Sequence, residues 1–152
     1  MRQRIIAVIG AAEAGEATLK IAEDVGRFIA RGKAIMVCGG LGGVMEAAAR
    51  GAQEEGGITV GILPQNHRDH ANPHIQIPVV SGFGEGRNVI IARTADVLIA
   101  VGGEYGTLSE IAFGLKMGKP VIGIKTWDIK GMIKADSAEE AVHKALGFLK
   151  MR

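Results

Sequence analysis

The sequence predicts a doubly wound α/β domain, a mainly parallel sheet of six to seven strands with helices on both faces. Three observations carry this expectation. Short β-branched runs alternate with stretches of helical periodicity along the whole chain. The runs are continuously apolar, the pattern of strands covered on both faces, and parallel neighbours need a crossover connection. Glycine makes up 23 of the 152 residues and clusters where apolar runs end, against a usual share of about 7%. The excess has no three-residue period, which excludes a collagen-like chain and points to backbone turns built for close approach.

Taken in order, Ile5-Ile6-Ala7-Val8-Ile9 is the first strand and ends at Gly10. Ala17 to Ala30 places Leu19, Ile21, Ala22, Val25, Phe28 and Ile29 on one stripe, a helix closed by Gly32. Ala34 to Val37 is the second strand, stopping at Gly39, and Val44 to Glu54 is a helix ended by Gly56-Gly57. Thr59 to Leu63 is the third strand, broken by Pro64, and Gln65 to His74 has no period and reads as a loop. Ile75 to Val80 is the fourth strand, Arg87 to Thr94 a helix, and Val97 to Val101 a doubly buried fifth strand. Tyr105 to Met117 suits a helix stopped by Gly118 and Pro120, before a sixth strand at Val121 to Ile124 and a seventh at Met132 to Lys134. Ser137-Ala138-Glu139-Glu140 is a capping box that opens a last amphipathic helix through Leu149.

The length suits a single domain spanning 1–152. Apolar residues at 47% exclude a disordered chain. Lysine and arginine number 18 against 16 acidic residues, a net +2 with no basic cluster, so no nucleic-acid partner is expected. No apolar run approaches the roughly 20 residues of a membrane helix. Met1-Arg2-Gln3-Arg4 leads into only a short apolar run, which is no secretory signal, and the lone Cys38 can form no internal disulfide. A cytoplasmic setting follows as the expectation.

Ligands of doubly wound sheets bind outside the carboxyl ends of the strands, where the strand order reverses. With the order 3-2-1-4-5-6, the first and fourth strands would flank that crevice, and the loops after Ile9, Val37, Val80 and Val101 would carry function. Gly10-Ala11-Ala12-Glu13-Ala14-Gly15 lacks the second glycine of a dinucleotide fingerprint, and Val37 and Cys38 stand where its acidic residue belongs. Gly15 is followed by Glu16-Ala17, so there is no Walker loop either. Gly10 and Ala11 stay as candidate ligand contacts. Gly39-Gly40-Leu41-Gly42-Gly43 is either an anion-approaching loop at a helix start or a tight strand-to-helix turn. Gly102-Gly103-Glu104-Tyr105-Gly106-Thr107-Leu108-Ser109-Glu110 follows the most buried strand, so first-turn amides and the Thr107 hydroxyl would face the crevice. Thr107 to Glu110 also reads as a capping box in which Glu110 only holds its own helix end. Arg87 at a helix start opposes the helix dipole and needs an anion, either a ligand phosphate or a carboxylate such as Glu85 or Glu110. His67, His70, His74 and Asp69 match no zinc-site spacing, and no metal is expected.

Gly39-Gly40-x-x-Gly43-x-Met45, Gly86-Arg87-Asn88 and Gly103-x-Tyr105-Gly106-Thr107-x-x-Glu110, in this order, resemble the Lonely Guy superfamily of Rossmann-like proteins. The resemblance runs from Ile5 to Trp127, and is strongest to a small branch that includes a molybdenum-cofactor carrier. Superfamily enzymes are phosphoribohydrolases that cut the N-glycosidic bond of cytokinin nucleotides or AMP, with an arginine-lysine pair followed by P-G-G-x-G-T-x-x-E. The resemblance assigns Arg87 and Glu110 to the catalytic arginine and glutamate. It assigns Gly39, Gly40, Gly43, Met45, Gly103, Tyr105, Gly106 and Thr107 to ligand and phosphate binding. Glycosidic cleavage builds an oxocarbenium-like sugar that a carboxylate can stabilise.

Three positions depart from the signature: Gly102 replaces the proline, Asn88 the lysine, and Glu104 the second glycine. A carboxylate about 4 Å from a phosphate would cost on the order of 1 to 4 kcal/mol. Two functions stay open. One is binding or carriage of a small phosphorylated ligand, a nucleotide or a pterin cofactor, with no required cofactor of the protein's own. The other is hydrolysis of a nucleoside 5'-monophosphate. The resemblance also implies a homo-oligomer, a dimer or a tetramer.

Overall fold

The strand runs that looked doubly buried pair into one seven-stranded, wholly parallel sheet in the order β4-β3-β2-β1-β5-β6-β7. A computed structural model describes residues 2–150. Met1, Met151 and Arg152, which the expected domain includes, lie outside the described residues. The strands are β1 (Ile5–Gly10), β2 (Ile35–Cys38), β3 (Thr59–Leu63), β4 (Ile77–Val80), β5 (Val97–Val101), β6 (Val121–Ile124) and β7 (Ile133–Lys134). The helices are α1 (Glu16–Arg31), α2 (Val44–Glu54), α3 (Arg87–Thr94), α4 (Tyr105–Lys116) and α5 (Ala138–Lys150). No described helix is long and apolar enough to cross a membrane.

Alternation along each strand divides the core in two. Ile6, Val8, Met36, Cys38, Val97, Ile99 and Val101 pack with α1, α2 and α5 on one face. Ala7, Ile9, Val37, Leu98 and Ala100 pack with Ile91 and Ala92 of α3 and Ile111 of α4 on the other. Every residue of β5 is buried, as its continuous apolar run requires.

The strand order differs from 3-2-1-4-5-6 at one point. β4 does not insert beside β1 but extends the sheet past β3, so the order reverses between β1 and β5. The connection between β3 and β4 causes this. It holds no crossover α-helix, only a short 3-10 turn at Arg68–His70, and it is pinned across the ends of β2 and β3. The Asn72 amide donates to the Gly40 carbonyl (2.9 Å), its side chain to the Leu41 carbonyl (2.8 Å), and the Thr59 hydroxyl to the His74 carbonyl (2.6 Å). The chain therefore re-enters next to β3. β4 begins at Ile77, two residues later than the periodicity suggests, and carries Pro78, as edge strands tolerate. Ile77, Val79 and Val80 are exposed along it.

α1 and α2 touch backbone to backbone. A Cβ on Gly26 would collide with the Ala48 carbonyl, and one on Gly51 with the Glu23 carbonyl. Gly26→Ala is expected to destabilise the fold by roughly 3 kcal/mol, because both neighbours are main chain and cannot swing aside. Gly147, exposed in α5 with nothing within 4 Å of its added Cβ, provides the contrast: Gly147→Ala should stabilise by about 0.5 to 1 kcal/mol. Urea unfolding of the two variants reads both signs.

Candidate functional site

Because the order reverses between β1 and β5, their connections to α1 and α4 diverge onto opposite faces and leave a hollow at the carboxyl edge of the sheet. The hollow has a volume of about 430 Å³. Gly10, Ala11, Gly39, Met45, Arg87, Gly106, Thr107 and Glu110 line it, bringing together residues from four loops. Gly40, Gly43, Gly103 and Tyr105 stand outside the lining, each for a definable reason.

Gly43, at φ +62°, lies against the Ala11 carbonyl, which accepts the Val44 amide at 3.0 Å. The first amide of α2 is thereby committed to holding the β1 loop. Gly40, at φ +79°, faces Gly61 and Leu63, and its amide meets the Cys38 sulfur at 3.4 Å. At these two positions the glycine loop is a tight turn, and Gly39 alone of its glycines reaches the wall. Gly103, at φ +110°, closes on Thr107 so tightly that any side chain would strike it. Tyr105 is 78% exposed, and its ring lies 5.9 Å from that of Trp127.

Four polar side chains are buried around the hollow: Arg87, Asn88, Thr107 and Glu110. Arg87 and Asn88 open α3, which packs against α4. One terminal nitrogen of Arg87 donates to Asn88 Oδ1 and the other to the Gly39 carbonyl at 3.5 Å. Its Nε is buried without a partner, and among the described residues no carboxylate comes within 4 Å of the guanidinium. The alternative of an internal salt bridge to Glu85 or Glu110 is thus not realised in this geometry. Asn88 in turn donates to Ser109 Oγ (3.1 Å), whose hydroxyl donates to the Gly106 carbonyl (2.6 Å), tying α3 to the first turn of α4. This gives Asn88 a visible role at the position where the signature has lysine.

Glu110 lies one turn below Thr107 on the inner side of α4. Burial pushes its carboxyl up to about 8, against the opposing pull of Arg87 and with a further upward push from Glu85. The free site therefore holds Glu110 mostly protonated at neutral pH. Cys38, which ends β2, is pushed up to about 12, chiefly by burial, so its thiol is inert packing.

Sequence reasoning missed Glu13 and Glu85 as wall residues, and both line the hollow, as does Glu104. The hint was positional, since both follow the β1 and β4 runs in loops already marked as functional. Glu104 precedes α4 with extended backbone and makes no capping hydrogen bond with its side chain. Among the described residues no group of three or more metal-ligating side chains is assembled. His67 Nδ1 accepts from the Asp69 amide at 3.2 Å, and His74 Nδ1 meets Gln53 at 2.7 Å.

The amides of Tyr105, Gly106 and Thr107 precede the first intrahelical bond of α4, from Leu108 to the Glu104 carbonyl. Such first-turn donors, together with the helix dipole, suit an anion. With Arg87 beside them and Glu110 below, the arrangement defines a Rossmann-like protein of the Lonely Guy type.

The chain belongs to the SLOG cluster4 family, which it matches over residues 3–148. It is similar to an uncharacterised protein of Archaeoglobus fulgidus, 47% identical over 144 residues, covering 94% of this chain and 95% of that one. A cytokinin riboside 5'-monophosphate phosphoribohydrolase of Rhodococcoides fascians is 34% identical over 96 residues, 60% of this chain and 48% of that enzyme. Among solved structures, the molybdenum cofactor binding protein of Rippkaea orientalis superposes with a TM-score of 0.93 at 35% identity, covering 98% of this chain and 99% of that one. The molybdenum cofactor carrier protein of Chlamydomonas reinhardtii does so with a TM-score of 0.87 at 34% identity, over 98% and 99% of the two chains.

Proposed function

We propose that the protein binds a small phosphorylated, nucleotide-like ligand in the hollow between β1 and β5 and acts as a carrier, with a phosphorylated pterin such as the molybdenum cofactor as the favoured guest. The observation that carries this reading is Arg87, a buried guanidinium on the cavity wall with a spare Nε and no carboxylate at ion-pair distance. A buried cation without a counter-charge is unfavourable unless an anion arrives from outside. The first-turn donors of α4 add the second half of an anion seat. Likeness to two molybdenum cofactor proteins over nearly the whole chain supports the pterin guest.

Phosphoribohydrolase activity is the second reading, favoured by one observation: Arg87 and Glu110 are buried in the same hollow. Glu110 held protonated is poorly suited to steer water as a base, which places carriage first. The setting is cytoplasmic, the partner a small molecule and not a nucleic acid, and the chain a homo-oligomer, a dimer or tetramer.

A thermal-shift screen of nucleoside monophosphates and phosphorylated pterins, with each hit assayed for base release, tests both readings. The expected outcome is stabilisation by phosphorylated ligands alone, without release of base. Ribose 5-phosphate in the assay would establish the hydrolase instead, and no stabilisation by any phosphorylated compound would defeat both.

A further inference from the structure

The loop that precedes α4 begins with two glycines in left-handed conformations, Gly102 at φ +57° and Gly103 at φ +110°. Peptide planes beside glycine rotate with little steric resistance. In one orientation the loop offers amides to an anion, whereas in the flipped one it turns carbonyl oxygens toward the same place. Something outside the loop must select between them.

The segment after β6 does so. The Gly102 amide donates to the Ile124 carbonyl at 3.1 Å. Lys125 then adopts φ +49°, a strained conformation for a residue with a side chain, and turns the chain back over the loop. From there the Thr126 hydroxyl donates to the Gly102 carbonyl, and Trp127 Nε1 donates to the Glu104 carbonyl at 3.1 Å. The Glu104 oxygen also accepts the Leu108 amide, so both of its lone pairs are engaged. The Trp127 ring meanwhile lies beside that of Tyr105, the first residue of α4.

We propose that Thr126 and Trp127 are positioning residues, which tether the carbonyls of Gly102 and Glu104 on the β6 side and so keep the amides from Gly103 to Thr107 free for a phosphate group. The inference rests on the anion seat of the proposed function and extends it to residues that touch no ligand. Lys125 fits the same device, since its strained turn is what brings Thr126 within reach.

The test is a titration of the 15N-labelled protein with inorganic phosphate, followed at the amide signals of Gly103 to Thr107. In the wild type these signals shift and saturate. Thr126→Val, which removes the donor at nearly constant shape, and Trp127→Phe, which removes the indole N–H and keeps one aromatic ring beside Tyr105, each weaken that response by about fivefold, the equivalent of one modest hydrogen bond. Thr126→Ser restores the hydroxyl and binds within about twofold of wild type. Dispersed amide spectra verify that each variant is folded, and the conservative serine gives a readout that a purely structural role would not separate from valine. Equal phosphate affinity in all four proteins overturns the tether while leaving the seat intact. A wild type whose Gly103 to Thr107 amides ignore phosphate overturns the seat and the tether together.

Discussion

Glu110→Gln is expected to make the free protein more stable at alkaline pH and to leave its stability near pH 4 almost unchanged. The Glu110 carboxyl sits at about 8 in the folded protein, against 4.5 as its ordinary value, because burial disfavours the charged form. The folded state therefore binds more protons than the unfolded chain between those two values, and stability falls as pH rises through that window. Below pH 4.5 both states are protonated and the residue is neutral in effect. Above pH 8 both are ionised and the fold carries the whole penalty. The full shift corresponds to roughly 4 to 5 kcal/mol, and the desolvation of a buried glutamine amide, being close to that of the neutral carboxyl, cancels between variant and wild type. Urea unfolding of wild type and variant at pH 5, 7 and 9 should show curves that diverge steadily, the variant ahead by roughly 4 kcal/mol at pH 9. Parallel curves would mean that the carboxyl is solvated when the protein is folded. The same protonation bears on binding. Below pH 8 the seat has one fewer negative charge facing a phosphate, so affinity should decline as pH rises through that value.

Arg87→Met should weaken binding of a phosphorylated ligand by roughly a hundredfold, about 3 kcal/mol, with the fold retained. Charged hydrogen bonds from a buried guanidinium to a phosphate are among the strongest single contacts available. No carboxylate is paired with Arg87 within 4 Å among the described residues, so methionine strands no counter-charge. What it removes is one donor from Asn88 and one from the Gly39 carbonyl, each worth about 1 kcal/mol. Methionine also removes the cation that draws the Glu110 carboxyl downward, so that group should titrate above its wild-type value. Calorimetric titration with a ligand found by the thermal-shift screen gives the affinity, and unchanged binding would remove Arg87 from the site.

The legible parts of this molecule were those fixed by local chemistry. α2, α3, β3, β5 and β6 occupy the expected residues because glycine or proline bounds each one and its periodicity is unmixed. The position of β4 was not legible. An apolar run such as Ile77-Pro78-Val79-Val80 looks the same whether it will be central or at an edge, and the hydrogen bonds that send it past β3 come from Asn72 and Thr59, inside a stretch without period. At the site, Arg87, Thr107 and Glu110 were singled out by the resemblance of their motifs, since spacing alone left Glu110 open as a helix cap and Arg87 as a salt-bridge partner, and the structure buries all three. Gly40 and Gly43 were marked with them, yet their left-handed backbone lies against Gly61, Leu63 and the Ala11–Ala12 turn and does not reach the hollow. Composition does not distinguish a glycine that admits a ligand from one that admits another loop. Tyr105 was marked by its motif, and it lies on the outside because its ring turns toward Trp127.

The outer margin of β4 has a consequence for solubility. It pairs on one side only, with β3, so its free row of main-chain donors and acceptors, flanked by Ile77, Val79 and Val80, is a template on which another extended peptide can lie. The missing N–H of Pro78 interrupts that template at its second residue. Pro78, together with the shortness of a four-residue strand, thus leaves an incomplete row of donors to any second extended peptide.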